Sequence, residues 1–372
     1  MENISYKIKN EENIITPALL YYKEIIIENT KKAIEIAGGA ERLWPHVKSH
    51  KMMNMVKLQM SLGISRFKCA TIAEAEMLAD CGVKDILLAY PLVGPNIERL
   101  IKLEKKYPNL TFWAIEDDIE QAKKLGKCSK ENNLVTKVLV DMNLGTNRTG
   151  VPIRKAAEFY ENCMKIEGID VLGFHCYDGH QGAYYDIADR QKSVDEVALK
   201  IKNVKDTIES KGMECSVFIM GGTPSFPCHA KYKNTFLSPG TLFITDYGYY
   251  SRYKDMNFVP GAAIITRVIS NPEDGYFTLD LGYKGIASDP EGARGKVVGL
   301  ENAMSVGQNE EHWIFKMNEG HYEETPKVGD VLYVIPTHIC PTSALYPEAI
   351  IIEGGEVVEN WDVTARNRKI TI

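Results

Sequence analysis

The clearest evidence for the fold lies in residues 136–180, TKVLVDMNLGTNRTGVPIRKAAEFYENCMKIEGIDVLGFHCYDGH. It contains two apolar runs, 136–142 and 170–175, separated by a stretch with helical periodicity, 151–166. Two strands joined through a helix pair in parallel, because the crossover returns the chain in the same direction. Pro152 stands at the start of the predicted helix, where a missing N–H has no cost. The segment therefore predicts one strand–helix–strand unit of a parallel sheet.

The same alternation extends in both directions along the first 250 residues. Six further predicted strands are 42–48, 66–70, 85–90, 111–115, 216–221 and the weaker 241–245. Eight strands in about 200 residues favour a closed (β/α)8 barrel, similar to a TIM barrel, over an open sheet. A doubly wound sheet is the alternative, weakened because no strand is followed by a G-x-G-x-x-G turn.

Capping signals mark some of the helices between these strands. Thr71 and Glu74 have the spacing of a capping box, and so do Ser193 and Glu196. Gly212 follows the second of these helical stretches and is a predicted C-terminal cap. We therefore expect helices to start at positions 71 and 193.

The pattern changes near residue 256. Short β-rich segments broken by Gly, Asn, Asp and Pro follow, and helical periodicity is absent. This predicts two domains, a barrel over residues 15–255 and an antiparallel β domain over residues 256–372.

Composition excludes several classes of protein. The 372 residues carry a formal net charge of −6 and no basic stripe, so nucleic acid is not an expected partner. No apolar run reaches the roughly 18 residues of a membrane helix, and the polar first residues predict no secretion signal. The eight cysteines form no C-x-x-C pair. We expect a reduced, cytoplasmic protein that does not bind membranes.

Chemistry in a parallel barrel gathers at the C-terminal ends of the strands. Lys48 follows the first predicted strand, beside His46, His50 and Lys51. A lysine there could form a Schiff base with an aldehyde if burial or nearby cations lowered its pKa. The spacing alone fits a solvent-facing basic loop as well.

Two other segments are candidates for ligand binding. The GGTPS turn at 221–225 follows the seventh predicted strand, where backbone N–H groups could hold a phosphate. In the β domain, His338 and Cys340 are two residues apart, so an extended segment would place both on one face. Imidazole and thiolate suit zinc, although two ligands leave the site open. An ordinary glycine turn and a buried cysteine beside a histidine are the alternatives.

These segments occur together in one order. WPHVKSHK, DMNLGTNRTG, HCYDGH, GGTPS, SPGT, NEEH and PTHICPT resemble the D-threonine aldolase / D-serine dehydratase-like family of pyridoxal-phosphate (PLP) enzymes. The resemblance covers nearly the whole chain and implies the alanine racemase fold (fold type III), a PLP-binding barrel followed by a β domain. It also implies that a first strand near residues 3–9, within residues 1–14, joins the β domain.

The resemblance implies roles for particular residues. Lys48 would carry PLP, and His338 and Cys340 would hold a divalent metal. The other residues implied to contact the cofactor are Arg148, Tyr177, Tyr184, Gly222 and Thr223. The family also implies a homodimer in which both chains build each active site.

The resemblance leaves the reaction open between two routes on a D-β-hydroxy amino acid. In the aldolase route a base, His180 or a metal-bound water, takes the hydroxyl proton, and the products are glycine and an aldehyde. In the D-serine or 3-hydroxy-D-aspartate dehydratase route Lys48 takes the α-proton, and a keto acid and ammonia form. The His-x-Cys pair matches the zinc-dependent dehydratases, whereas the better-known aldolases have His-x-Asp. We favour the aldolase and zinc, with manganese or magnesium as alternatives; a racemase or a non-catalytic PLP-binding protein fits less well.

Overall fold

The computed structural model describes residues 5–372, which form two compact units. The barrel unit comprises residues 32–48, 55–240 and 367–372. The sheet unit runs up to Lys31 and includes residues 49–54 and 241–366.

Strands and helices are numbered in chain order. The strands are β1 (Ala18–Tyr22), β2 (Arg66–Cys69), β3 (Asp85–Leu88), β4 (Thr111–Glu116), β5 (Thr136–Asn143), β6 (Val151–Pro152), β7 (Ile169–Cys176), β8 (Val217–Met220), β9 (Phe236–Leu237), β10 (Ala262–Ser270), β11 (Tyr276–Leu279), β12 (Gly295–Val297), β13 (Ala303–Gln308), β14 (Trp313–Met317), β15 (Val331–Pro336), β16 (Glu348–Glu353) and β17 (Glu356–Asp362). The α-helices are α1 (Lys23–Ala37), α2 (Met53–Ser61), α3 (Ile72–Asp80), α4 (Asn96–Lys106), α5 (Ile119–Glu131), α6 (Ile153–Cys163), α7 (Ile187–Glu209), α8 (Phe226–His229), α9 (Tyr247–Arg252) and α10 (Ile339–Ser343).

The barrel unit contains the predicted parallel sheet. Its strands follow the order β2-β3-β4-β5-β7-β8-β9, and every neighbouring pair is parallel. Leu43 forms a single bridge with Leu237 of β9, and His46 forms one with Lys68 of β2. The segment 43–46 therefore takes the place of the first strand and closes the ring, so the predicted TIM-like barrel is confirmed.

The eighth predicted strand is misplaced. Residues 241–243 form a 3-10 turn, and the last strand of the barrel is the two-residue β9 instead. Leu242 and Phe243 are fully buried. These residues are apolar because the turn is buried. A short apolar run in the sequence does not distinguish a buried turn from a strand.

The helix starts agree with the capping signals in one case out of two. Thr71 caps α3 by accepting the N–H of Glu74 at 3.1 Å, as predicted. The helix α7, however, begins at Ile187, and Asp186 is its cap. The Ser193–Glu196 pair therefore lies inside this helix. The carboxylate of Asp186 accepts the first backbone N–H groups of the helix, so the helix starts there and not at Ser193. Gly212 ends the turn after α7 at a φ of 76°, which favours glycine.

The sheet unit is built on one large sheet of order β13-β14-β11-β10-β1-β16-β17, with β15 pairing to β10 and β12. All of its pairs are antiparallel except β1 with β16, so the predicted antiparallel domain contains one parallel pair. The strand β1 comes from the segment that the sequence assigned to the barrel. Its apolar residues, such as Leu20 at 0% exposure, pack in the core of this unit with Ile265 and Ile352.

The division at 241 also differs from the predicted boundary at 255/256. Of the strand predicted near residues 3–9, residues 3 and 4 lie outside the described residues. Residues 5–8 are not a regular strand, but Tyr6 and Ile8 are buried in the core of the sheet unit. Lys9 donates its backbone N–H to Gly355 at 2.9 Å. Among residues 5–372, no helix combines the length and the apolar character needed to cross a membrane.

Candidate active site

Lys48 stands immediately after the segment that closes the barrel. It lies in a 3-10 turn, Val47–Ser49, and its side chain is half-buried. Its backbone N–H donates to Nδ1 of His46 at 3.3 Å. The predicted lysine is therefore placed at the end of a barrel strand by local structure.

A row of buried polar groups crosses the same end of the barrel. Nζ of Lys68, on β2, lies 3.4 Å from Nε2 of His175, and Nδ1 of His175 lies 2.7 Å from a carboxylate oxygen of Asp141. Thr149 donates its hydroxyl to the second oxygen of Asp141 at 2.8 Å. The row joins the ends of β2, β5 and β7, three strands that are far apart in sequence.

Burial controls the charge of this row. Burial and, to a smaller extent, the positive charge of Lys48 lower the pKa of Lys68 to about 7. Burial also lowers the pKa of His175. For Asp141 burial acts to raise the pKa, but the hydrogen bonds from His175 and Thr149 and the nearby positive charges together outweigh burial and hold the pKa below its usual value. Asp141 is therefore the anion of the row, and Lys68 can lose its proton near neutral pH.

The lowered pKa of Lys68 predicts a pH-dependent stability. The unfolded chain binds this proton more tightly than the folded chain, so the free energy of unfolding rises between about pH 7 and pH 10.5. We expect Lys68→Met to remove a contribution to this rise on the order of 3 kcal/mol. Urea unfolding of the cofactor-free protein at pH 7, 8.5 and 10 measures it.

The matched control is Lys137→Met, which removes a half-exposed lysine from β5. This control should leave the pH dependence as it is in the wild type. Equal slopes for Lys68→Met and the wild type would contradict the assignment of a neutral amine at Lys68.

Arg148 and Tyr177 meet beside this row. The guanidinium carbon of Arg148 lies 4.8 Å from the ring centroid of Tyr177, and Nζ of Lys68 lies 5.8 Å from the same centroid. A cation over an aromatic face is a favourable contact. Lys48 and Arg148, together with Lys68 when it is protonated, thus concentrate positive charge at one end of the barrel, where an anionic ligand is favoured.

The GGTPS turn packs against Tyr177. A Cβ atom at Gly222 would lie 3.0 Å from Cε2 of Tyr177, so a larger residue here would press against the tyrosine ring. The N–H of Gly222 donates to Oγ of Ser225 at 3.1 Å, and Oγ1 of Thr223 accepts the N–H of Gly240 at 3.1 Å. The turn is therefore held by its own hydrogen bonds, and Gly222 and Thr223 both take part in them.

His180 and Tyr184 lie at the two ends of one short segment. Nδ1 of His180 is 3.2 Å from the hydroxyl of Thr146, which ties it to the loop after β5. Tyr184 follows the 3-10 turn Gly179–Ala183, and its side chain is 42% exposed. Its carbonyl accepts a hydrogen bond from Arg190. The structure therefore groups His180 with a loop of the barrel end and leaves the side chain of Tyr184 partly exposed to solvent.

His338 and Cys340 lie together in the sheet unit, although not on an extended segment. His338 caps α10 and Cys340 is in its first turn, so the expected extended geometry is wrong. The two side chains are nevertheless close enough for each to shift the pKa of the other. Burial acts to raise the pKa of the Cys340 thiol, but the interactions with His338 and the hydrogen bond with Ser49 together outweigh burial and lower the pKa. Oδ2 of Asp289 lies 2.5 Å from Nδ1 of His338.

A carboxylate behind the imidazole is typical of metal-binding histidines, and thiolate with imidazole is a favoured donor pair for zinc. Among residues 5–372, no group of three or more His, Cys, Asp and Glu side chains has the arrangement of a metal site. The two residues thus fit an ion that completes its coordination with other ligands.

Asp246 holds the backbone next to the His338–Cys340 pair. Its buried carboxylate accepts the backbone N–H of Ile339 at 3.1 Å and that of Tyr249 at 2.8 Å. Burial raises the pKa of Asp246 to about 6. The carboxylate therefore fixes the first turn of α10, which carries Cys340.

Sequence reasoning missed the role of Lys68. A lysine at the centre of a predicted strand with apolar neighbours, as in RFKCA, is a signal that could have found it. Asp141 and His175 stand at the ends of two predicted strands, but the sequence alone does not show which strand ends are neighbours.

Comparison with known proteins defines the class. Residues 23–248 match the family model "Alanine racemase, N-terminal domain", and residues 261–352 match the model "Putative serine dehydratase domain". The first match spans more than half of the chain, so the protein belongs to the alanine racemase N-terminal domain family of PLP-dependent enzymes.

Individual relatives narrow the comparison within that family. The chain is 25% identical to 3-hydroxy-D-aspartate aldolase of Paracoccus denitrificans (strain Pd 1222), covering 96% of this chain and 94% of that protein. It is 22% identical to D-threo-3-hydroxyaspartate dehydratase of Delftia sp. (strain HT23), covering 86% and 89%. The crystal structure of D-threonine aldolase from Filomicrobium marinum superposes with a TM-score of 0.89 at 25% identity, over 99% and 100% of the two chains. The resemblance to D-threonine aldolases and D-serine dehydratases is confirmed.

Proposed function

We propose that this protein is a PLP- and divalent-metal-dependent lyase that cleaves D-β-hydroxy amino acids to glycine and an aldehyde. The observation that carries the proposal is the concentration of Lys48, Lys68 and Arg148 at one end of the barrel. A phosphorylated cofactor and the carboxylate of an amino acid are both anions, which positive charge at the site would bind. The relatives that are named aldolases support cleavage of the substrate to glycine and an aldehyde.

The residues of the barrel fit PLP. Lys48 would hold PLP covalently. Arg148, which lies over the ring of Tyr177, offers positive charge, and the turn at Gly222 lets the backbone approach the cofactor closely. When bound, PLP supplies an electron sink for negative charge at Cα of the substrate. The residues proposed to contact it are Lys48, Arg148, Tyr177, Tyr184, Gly222 and Thr223.

The protein's own groups would divide the remaining work. His180, held by Thr146, would take the proton of the β-hydroxyl group, a contribution worth about 10²–10⁴-fold. His338 and Cys340 would hold the divalent ion, for which their nitrogen–sulfur pair favours zinc over manganese or magnesium. A bound divalent ion supplies Lewis acidity to an oxygen ligand.

The second candidate is a zinc-dependent D-serine or 3-hydroxy-D-aspartate dehydratase. The His338–Cys340 pair favours it, because thiolate ligation is the pattern of the zinc-dependent dehydratases that the sequence resembles. The homodimer and the cytoplasmic location stay predictions from the sequence.

Product analysis separates the two candidates. The holoenzyme would be incubated with D-threonine, and with 3-hydroxy-D-aspartate, in the presence of zinc, manganese or a chelator. We expect glycine with acetaldehyde from the first substrate and glycine with glyoxylate from the second. Release of 2-oxobutanoate or oxaloacetate with ammonia would select the dehydratase. L-Threonine is the control for stereochemistry.

A further inference from the structure

A buried carboxylate lies behind the GGTPS turn. Asp178 is 0% exposed, and its two oxygens have different partners. Oδ1 accepts the hydroxyl of Ser225 at 2.5 Å, and Oδ2 lies 2.7 Å from Nε2 of His229, which is also fully buried. A buried carboxylate needs such hydrogen-bond partners, because removing a partner leaves the carboxylate with an uncompensated cost of desolvation. The three side chains therefore form one fixed unit.

This unit controls the shape of the turn. The hydroxyl of Ser225 donates its proton to Asp178, so its lone pairs are left to accept the N–H of Gly222 at 3.1 Å. That bond closes the turn from Gly222 to Ser225. At the other end of the same segment, His229 is the last residue of α8. Asp178 thus holds both ends of the stretch 222–229.

A further hydrogen bond connects the GGTPS turn to the loop after β9. Oγ1 of Thr223 accepts the N–H of Gly240, which lies in the loop after β9. Asp178 follows β7, the turn follows β8, and Gly240 follows β9. In the order of the barrel, β8 and β9 are the seventh and eighth strands. The loops after the seventh and eighth strands of a (β/α)8 barrel are the usual place for a phosphate.

The arrangement does not activate Ser225 as a nucleophile. Nε2 of His229 is bonded to Asp178, and Nδ1 of His229 has no partner within residues 5–372. A serine nucleophile needs a base that accepts its proton, whereas here the carboxylate is the shared partner of serine and histidine. The unit holds the backbone and performs no chemistry.

We propose that Asp178, acting through Ser225 and His229, is a positioning residue that gives this site its preference for a phosphorylated ligand. The inference rests on the proposed function, because it assumes that the turn at 221–225 receives the phosphate of PLP. Asp178 does not touch the ligand. It keeps the loops after β8 and β9 in the one arrangement that fits a phosphate.

The test compares PLP with pyridoxal, which lacks the phosphate. Full-length protein freed of its cofactor is titrated with each compound, and the visible absorbance of the bound form gives two dissociation constants. We expect Ser225→Ala and Asp178→Asn to weaken PLP by about 10- to 100-fold, the effect of charge-assisted hydrogen bonds, and to leave pyridoxal nearly unchanged. A general loss of packing would weaken both ligands equally.

Ser225→Ala keeps the test valid if Asp178→Asn fails to fold, because it removes a single hydroxyl. The matched control is Asp118→Asn, which removes a carboxylate that accepts two backbone N–H bonds at the start of α5. It should leave both affinities unchanged. Variants that keep or increase the wild-type preference for PLP overturn the role of Asp178 and leave the proposed function intact. A wild type with no preference for PLP over pyridoxal overturns the phosphate site itself.

Discussion

Replacement of Lys48 by alanine will abolish the visible absorbance of the bound cofactor and lower kcat by at least about 10³-fold. Lys48 is half-buried and lies near Lys68 at the end of the barrel, where the proposed cofactor would bind. No methyl group can replace an amine that bonds to an aldehyde. The measurements are an absorbance titration with PLP and kcat on D-threonine.

Lys51→Ala is the matched control for this variant, since Lys51 is a basic residue three positions further along the same segment. It should keep the absorbance band. If the band survives in Lys48→Ala and disappears in Lys51→Ala, the covalent anchor has been assigned to the wrong lysine.

Cys340→Ala will lose the divalent metal and lower kcat by about 10²–10⁴-fold, because a Lewis acid contributes several kcal/mol to the transition state. The thiol of Cys340 is hydrogen-bonded to Ser49 and Thr241 and interacts with His338, and its pKa is lowered, as a metal-binding thiolate requires. Metal content by mass spectrometry and kcat measure the effect. The absorbance of PLP should remain, because the barrel residues proposed to bind the cofactor are untouched.

Two further variants sharpen this result. Cys128→Ala removes another half-buried free thiol and should retain both metal and activity. Cys340→Asp should restore activity preferentially with manganese or magnesium, because a carboxylate is the harder ligand. Full turnover by wild-type protein in the presence of a chelator would remove the metal from the reaction.

The barrel was predictable from the sequence because its strands are buried on both faces and separated by clear helical periods. Runs such as 136–142 and 216–221 leave little ambiguity. The two-residue strand β9 was not predictable, since a pair of residues carries no period. The position of β1 was not predictable either. Its sequence, ALLYY, fits a strand of either sheet, and only its pairing with β10 and β16 assigns it.

The site was partly predictable for a related reason. Lys48 and the GGTPS turn follow strands and carry recognisable residue types. The row from Lys68 to Asp141 depends on which strands are neighbours, and the order β2-β3-β4-β5-β7 closes only through the segment 43–46. Asp178 carries no signal in the sequence, because a carboxylate after a strand looks the same whether it meets solvent, a ligand or a buried histidine.

The pairing of β1 between β10 and β16 has a consequence for synthesis on the ribosome. The strand emerges early, but its partners start at Ala262 and Glu348. At 5–20 residues per second, β1 waits roughly 10–50 s before the first of them is made. Throughout that interval both of its edges are open to unwanted pairing. A nascent chain stalled near residue 250 would therefore expose an apolar strand that a chaperone must cover.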